Sequence, residues 1–538
     1  MTIAAKYRPF RAAFRRAELG VPRNSKILSS SREQPWVFTA LLCLVLLAVA
    51  LRLVPVLFVP SLDWDDEIFQ AAEPAHRLVY GYGIVPWEFQ LGARSWLLPG
   101  AIAGLMELSR LFGDGPAYYL PVIDVAFALL GTAPVVCCFL WARRWYGPIP
   151  ALAAAAAVAM APELVYFGAR LLTEVAAAHI LIIGCWLLDP GYPVTSRRRL
   201  FVAGLLFGLA CLLRIHLAPA AAVIAIWSMW RDWRPRLWPL LSGALIAIAF
   251  GAMLDWATLG YPLASLGRSL LYNLVYGVGS EFGTWPWDYF LLAELSIWPP
   301  ALVLAALAAF GGRRLPALLI AAAVVVAVHS AIPHKEYRFV YPAAVLLIVV
   351  AGIGVAQLVD WGARRLARRG LRAGFAAAAS AALVLAYWGL TAAEVWTSGF
   401  AQLRQRGHDN LLAESFAARL PALCGLGLYG TTPGFDWTVY GGYTYLHRPV
   451  PMYSPKDAAD LAATAPAFDT LLYTAPPPAE LGFATIACFG KTCVARRAGG
   501  CAAQPMAAMP FPQGVAGLQP PAAEFDAVPP KLRENAPH

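Results

Sequence analysis

Charge is what this chain has least of. Asp, Glu, Lys and Arg make up 14% of its 538 residues, and only 32 residues are acidic. A soluble globular domain carries about 25% charged residues. Hydrophobic types supply 59% of the chain and the mean hydropathy is +0.58, which excludes a water-soluble fold for most of it and indicates a polytopic membrane protein. No internal repeat is visible, and ionisable residues are rare inside the apolar segments. Both features count against a transporter or flippase of a lipid-linked or anionic solute, the main alternative class. The formal charge of +10 does not indicate nucleic acid. Most of the Lys and Arg residues outside the C-terminal part sit in short loops between apolar runs. The first run, Val37 to Pro60, lacks a small-residue cleavage pattern and is too long for a signal-peptide core, so it reads as an uncleaved anchor.

What is there is an alternation. The N-terminal residues 1–36 are basic (Lys6, Arg8, Arg11, Arg15, Arg16, Arg23, Lys26, Arg32). Every second later loop is rich in arginine: Arg143-Arg144, Arg197-Arg198-Arg199, Arg231 with Arg234 and Arg236, Arg313-Arg314, and Arg364 to Arg372. The positive-inside rule puts all of these in the cytoplasm. Spans at about 37–60, 116–141, 148–166, 173–190, 200–213, 217–230, 237–254, 297–311, 316–332, 339–361 and 374–394 satisfy the pattern, giving about eleven transmembrane helices. Segment 95–111 is apolar, but a span there would invert every later loop, so it is expected to lie along or dip into the interface. Arg52 and Asp124, the charges within spans, are expected to pair with helices or snorkel.

The connections on the non-cytoplasmic side hold the chemistry. The loop that starts at Ser61 gathers Asp63, Asp65, Asp66, Glu67, Glu73, His76, Glu88 and Arg94, interleaved with Phe69, Tyr80, Trp87, Phe89 and Trp96. That mixture suits a site holding a sugar or lipid at a membrane surface. Residues 68–79 can be written as a short helix. The loop at 255–296 contains Trp285-Pro286-Trp287-Asp288, a rigid aromatic turn beside a carboxylate. The turn Pro333-His334-Lys335-Glu336-Tyr337-Arg338 puts cations where the topology otherwise avoids them. It reads either as a set of headgroup anchors or as a phosphate site, with Arg214 and His216 available from another turn on that face. Asp63-Trp64-Asp65 has the form of a D-x-D metal motif, a short and unspecific pattern.

From about residue 400 the pattern changes to a small α/β domain, assigned here to residues 397–503. Helices are expected at about 402–420 and 455–463, and strands around 427–429, 470–473, 485–489 and 492–495. Cys424, Cys488, Cys493 and Cys501 fall in it, and two disulfides are plausible in an oxidising compartment, with three pairings open. The other five cysteines read as small apolar residues in spans. The Pro- and Ala-rich tail, 504–538, is expected to be disordered. The fold class is therefore a polytopic α-helical membrane protein with a small extracytoplasmic α/β domain.

Two stretches are recognisable together. Asp66-Glu67, Phe69-Gln70, Glu73-Pro74, His76, Tyr80-Gly81, Gly83, Trp87-Glu88 and Arg94-Ser95 resemble the first luminal loop of glycosyltransferase family 22. These are the GT-C mannosyltransferases of GPI-anchor and N-glycan assembly. His334-Lys335-Glu336-Tyr337-Arg338-Phe339 resembles the family's H-K-E-x-R-F signature, and Gly283 to Tyr289 a segment between them. The likeness covers about 60–400 in matching order and spacing, and the C-terminal domain more loosely. Trp64-Asp65 stand where the family has His-Pro or Cys, Pro86 replaces a Thr, and Trp285 and Asp288 stand where it tends to have histidines. The Ala-rich single-chain plan suits a bacterial relative, hence an inner membrane.

The resemblance implies an inverting transfer of a mannosyl group from a polyprenyl-phosphate sugar to a glycolipid or glycan acceptor. The GT-C domain would be residues 37–396, with the active site and C-terminal domain outside the cytoplasm. A GT-C transferase of another sugar, such as arabinose, is the nearest alternative. Asp66 is the expected general base, with Asp63 or Asp65 behind it. His334, Lys335, Arg338 and Arg214 would hold the donor phosphate. Asp63, Glu67, Glu73, His76, Trp87, Glu88, Arg94, Trp287 and Asp288 would bind substrate. With a phosphate leaving group and fixed cations, neither a metal nor another cofactor is expected.

Overall fold

The computed structural model describes residues 35–189, 196–230, 232–298, 301–430 and 436–501. The basic N-terminus, Arg231 and the tail beyond Gln504 lie outside them. Sixteen helices carry the architecture: α1 (Pro35–Phe58), α2 (Glu73–Tyr80), α3 (Leu97–Ser109), α4 (Pro116–Leu130), α5 (Ala133–Tyr146), α6 (Pro148–Ala159), α7 (Thr173–Leu188), α8 (Arg197–Leu213), α9 (Ala218–Met229), α10 (Trp233–Leu259), α11 (Tyr289–Ile297), α12 (Ala301–Gly312), α13 (Pro316–Ser330), α14 (Tyr341–Ala367), α15 (Ala373–Thr397) and α16 (His408–Ala417).

By length and composition, α1, the α4–α5 run, α10, α14 with the turn before it, and α15 are long and apolar enough to cross a membrane. The pair α11–α12 is bent by 109°, and α3, α6, α7, α9 and α13 are shorter apolar helices. Helix α14 is the axis of the bundle. It is buried along most of its length and touches α5, α6, α7, α12, α13 and α15. Close packing rests on small residues. A Cβ at Gly204 of α8 would collide with the Leu240 carbonyl of α10, and one at Gly243 with the Phe201 carbonyl, so these two helices meet backbone to backbone.

Several of the arginine-rich turns meet one another. Arg144 donates to Asp189 at 2.9 Å, and Arg314 lies over the rings of Trp145 and Tyr146. Arg52 does not snorkel. It is fully buried, donates Nη1 to Ala48 O at 2.7 Å, and is covered by Gly131 and Gly168.

The C-terminal chain forms a five-stranded sheet in the order β2-β1-β3-β5-β4: β1 (Leu426–Tyr429), β2 (Met452–Tyr453), β3 (Thr470–Tyr473), β4 (Ala484–Phe489) and β5 (Thr492–Arg496). The sequence reading lacks β2, whose two residues give no periodicity to read. Strand β1 pairs parallel with β2 and β3, and β5 pairs antiparallel with β3 and β4. Disulfides join Cys424 to Cys501 and Cys488 to Cys493, which selects one of the three pairings. Helix α16 packs on this sheet. The first loop, 61–86, is clasped between bundle and sheet, with Leu62, Ile68, Phe69 and Ile84 in one apolar cluster with Leu411, Leu426, Trp437 and Tyr443. Within it, a π-helical turn (Ile68–Ala72) runs into α2, so the expected helix over 68–79 is present with a wider first turn.

Candidate functional site

A cavity of about 920 Å³ opens between the first loop, the 333–338 turn, the 273–297 segment and the C-terminal unit. Asp63, Asp65, Asp66, Trp87, Glu88, Arg94, Arg214, His334, Lys335 and Arg338 all line it, from segments up to about 270 positions apart. Two elements set the loop's direction: the Asp65 carbonyl accepts the amides of Ile68 and Phe69 as the π-turn begins, and Phe69 packs edge-on against Trp437 at 4.8 Å.

Asp66 sits in an ion pair. Its Oδ2 lies 2.5 Å from Arg338 Nη2. The same guanidinium donates Nε to Glu336 at 2.7 Å and reaches Glu174 at 3.5 Å, while Arg214 pairs with the same Glu174 oxygen. Three carboxylates thus surround Arg338, which still lines the cavity. Burial works against the Glu336 carboxylate, but Arg338 and His334 hold it well below the usual range. Burial lowers His334 too, yet its hydrogen bonds to Glu336 (3.0 Å) and Gly283 O (2.9 Å) leave it above its ordinary value.

Lys335 is also committed. Its Nζ donates to the carbonyls of Trp285 (2.9 Å) and Ile332 (2.5 Å) and reaches that of Pro333. With the Trp285 amide bonded to Pro333 O at 3.0 Å, this lysine pins the 283–288 segment to the signature turn. Three carbonyl dipoles thus surround the ammonium expected to meet a phosphate. The pinning turns Trp285 and Tyr289 into the cavity wall. Trp287 is 71% exposed, and neither Trp287 nor Asp288 lines the cavity.

Arg94 is the least committed of the predicted cations. Its nearest carboxylate is Glu88 at 3.9 Å, and Glu88 is already held by Gln70 Nε2 at 2.8 Å. Burial lifts the Glu88 carboxyl to about 7; Arg94 opposes this and the charges of Asp66 and Asp65 add to it. Arg94, Arg214, His216, Gln70 and Ser269 also line a second, apolar space of about 580 Å³ that runs between α8, α9 and α10 past Phe207, Ala221, Leu240 and Ile248. Burial, then Arg214, His329 and Arg94, depress His216 to about 3, so it adds a neutral hydrogen-bonding group where the cavity meets the groove.

Four other sequence-predicted residues do different work. Asp63 reaches the wall, and its carboxylate accepts from Arg406 (3.0 Å) and Tyr166 (3.3 Å). Glu67 points away from the cavity and pairs with Arg170 at 2.7 Å. Glu73 is fully buried and accepts from the amides of Ile84, Tyr443 and Thr444 and from the Thr444 hydroxyl, at 2.7–3.0 Å. His76 is buried against Tyr82 O and His447. Glu73 and His76 thus fasten the loop to the C-terminal unit and do not line the cavity. Among the described residues, the His/Cys/Asp/Glu grouping close enough for an ion is Cys424, Asp469 and Cys501, and its sulfurs are joined to each other.

Sequence reasoning missed the partners of the arginines. Glu174 starts α7 on a turn of the same face, and Arg170 precedes it by four residues. A lone acid and a lone base flanked by apolar helices were the available signal. Arg406 and Trp437 carried none, because they lie in the C-terminal part, outside the motifs that carry the resemblance.

The sequence model of the Alg9-like mannosyltransferase family matches residues 43–414. Curated relatives include "GPI mannosyltransferase 3" of Yarrowia lipolytica, 27% identical over 57% of this chain and 61% of that protein, and "GPI mannosyltransferase 3" of Drosophila melanogaster, 30% identical over 57% and 54%. The chain thus spans 54–61% of the length of these relatives. Among solved structures, ArnT from Cupriavidus metallidurans bound to undecaprenyl phosphate is similar in fold, with a TM-score of 0.56 at 16% identity, covering 88% of this chain and all of that one. With more than half its length matched by the family's sequence pattern and a helical bundle like that of a membrane enzyme, the chain belongs to the Alg9-like mannosyltransferase family.

Proposed function

We propose that this protein is an inverting membrane mannosyltransferase. It takes mannose from a polyprenyl-phosphate donor and passes it to a hydroxyl of a glycolipid or glycan acceptor. The observation that carries the reading is the junction of a charged cavity with an apolar groove: about 920 Å³ lined by Asp65, Asp66 and Arg338, continuous through Arg94, Arg214 and His216 with about 580 Å³ lined by aliphatic and aromatic side chains. A prenyl chain fits the groove, its phosphate meets Arg94 and Arg214 at the junction, and its sugar reaches into the cavity. A carboxylate of the Asp65-Asp66 pair takes the acceptor proton. Arginines carry the charge that develops on the leaving phosphate, so the reaction needs no metal or other cofactor.

The same reading assigns the arginine-rich turns to the cytoplasm and the cavity and sheet to the opposite side, with about eleven spans over 37–396 and a separate unit over 397–503. The acceptor is left as a class by this chemistry.

The test uses the full chain in lipid nanodiscs with polyprenyl-phosphate [³H]mannose and an alkyl α-mannoside acceptor. Labelled disaccharide of inverted anomeric configuration is expected. Transfer from a polyprenyl-phosphate arabinose or glucose donor but none from the mannose donor would overturn the mannosyl assignment.

A further inference from the structure

The first loop has a second face. Behind it lies a separate space of about 300 Å³. The wall between the two spaces is a pairing of backbone segments, in which the Leu62 amide donates to Arg406 O at 2.8 Å. Asp63 and Arg406 line the charged cavity, and Ser61, Leu62, Arg404 and Gln405 line the smaller space. Its rim includes Val54, Phe58 and Val59 from the end of α1, all of them exposed. An apolar rim of this kind fits a mouth that opens to lipid.

Two opposite charges border this space and neither meets a partner. Asp124 of α4 is only 7% exposed and lines the space, with no hydrogen-bond or ion-pair partner among the described residues. Arg404, just past α15, lines it as well. Its Nε is buried and unpaired, and among the described residues no carboxylate holds its guanidinium. The other ions there, Glu67 and Arg170, are closed on each other at 2.7 Å. A charge in an apolar enclosure is costly unless a counter-charge reaches it. A ligand carrying both signs supplies one to each end.

We propose that this space seats the headgroup of a membrane phospholipid whose phosphate bears a primary ammonium, a phosphatidylethanolamine. The ammonium meets Asp124 and the phosphate meets Arg404. A trimethylammonium group is recognised by open aromatic faces, but the ring of Tyr166 is covered by Arg170 at 4.1 Å and that of Trp396 by Arg404 at 5.5 Å. What is left for a cation is oxygen, from the Asp124 carboxylate and from Tyr445, which lies close enough to feel its charge. Such acceptors suit N–H donors. A purely anionic headgroup would leave Asp124 unmatched. The level is right for a headgroup: Tyr119, little more than a turn before Asp124, donates its hydroxyl to Thr444 O of the C-terminal unit, so Asp124 lies at the end of the bundle that meets this unit. A lipid held there braces the Leu62–Arg406 wall from behind.

The experiment uses the delipidated full chain in detergent and native mass spectrometry. Palmitoyl-oleoyl phosphatidylethanolamine competes with its N-methyl and N,N-dimethyl forms, with phosphatidylcholine and with phosphatidylglycerol. Wild type is expected to retain phosphatidylethanolamine about tenfold better than phosphatidylcholine, with retention falling stepwise as methyl groups replace N–H donors. Asp124→Asn is expected to erase that preference. Arg404→Gln is expected to weaken both lipids alike, because both carry the phosphate. Equal retention of the two lipids by wild type overturns the proposal without any variant, and so does an Asp124→Asn protein that keeps the preference. Tighter retention of phosphatidylglycerol than of phosphatidylethanolamine also overturns it, since the space then reads a phosphate alone. The readout is bound mass and not turnover, so none of these outcomes bears on the mannosyltransferase reading.

Discussion

Residues 63–66 and 73–76 lie on one loop, both contain carboxylates, and face opposite ways. The first set borders a cavity, with Asp65 open to it and Asp66 beside Arg338. The second is sealed against the C-terminal unit, where Glu73 is the acceptor for three amides and a hydroxyl. A carboxylate that must react keeps an oxygen free; one that must hold two segments together spends both. The difference shows that a motif joining both sets describes a site and its support together.

The largest expected effect sharpens that contrast. Asp66→Asn removes the charge that orients Arg338 and leaves Glu336 and Glu174 competing for it. Transfer should fall by about 10²-fold or more with the fold and membrane insertion unchanged. Glu73→Gln should do the reverse. It forfeits charge-assisted hydrogen bonds in a dry place and destabilises the protein by roughly 2–4 kcal/mol, while kcat of the folded fraction stays near wild type. Tryptophan-fluorescence melting and initial rates on both variants decide the matter. A Glu73→Gln protein of normal stability and lost turnover would move Glu73 into the chemistry.

How far the sequence allowed this to be foreseen depends on what kind of signal each feature leaves. That the chain is an apolar helical bundle was legible because apolar runs are local; of the about eleven spans expected, five helices among the described residues are long and apolar enough to cross a membrane, or six with the bent α11–α12 pair counted as one. Four of the five strands were legible for the same reason. The convergence of the 63–66 stretch with the 333–338 turn was legible only through the family resemblance. The roles of Lys335, Glu73 and His76 were not legible, because they depend on backbone carbonyls and amides contributed by distant segments (Trp285, Tyr443, Thr444), and a sequence does not show where such groups will point. Arg94 was named as a substrate contact, but its freedom follows from what its neighbours already bind.

A second contrast, of intermediate size, concerns cations. Arg94 and Lys335 line the same cavity, and only Lys335 has its donors taken by carbonyls. Arg94→Gln should raise the donor KM by about tenfold or more, as expected for losing one charge-assisted contact to a phosphate. Lys335→Met should change the donor KM less than about threefold. It should instead lower stability by about 1–3 kcal/mol, because buried carbonyls lose their donor. Donor titrations at saturating acceptor, with melting curves alongside, separate the two. A tenfold donor KM change in Lys335→Met with unchanged stability would return the lysine to the phosphate.

The smallest expected effect separates two tryptophans only two positions apart. Trp285, 53% exposed, is held by its amide on Pro333 O and its carbonyl on Lys335, and its ring lies 5.2 Å from Tyr289 in the cavity wall. Trp287 is 71% exposed and outside that wall. At the edge of an apolar bundle an exposed indole fits the membrane–water boundary, so Trp287→Ala should leave both KM values within about twofold and stability within about 0.5 kcal/mol. Trp285→Ala removes a stacking face and should raise a substrate KM about three- to tenfold, since such aromatic contacts are worth about 0.5–1.5 kcal/mol. Equal effects at both positions would mean that the 283–288 turn swings during the reaction, and that the Lys335 clasp opens with it.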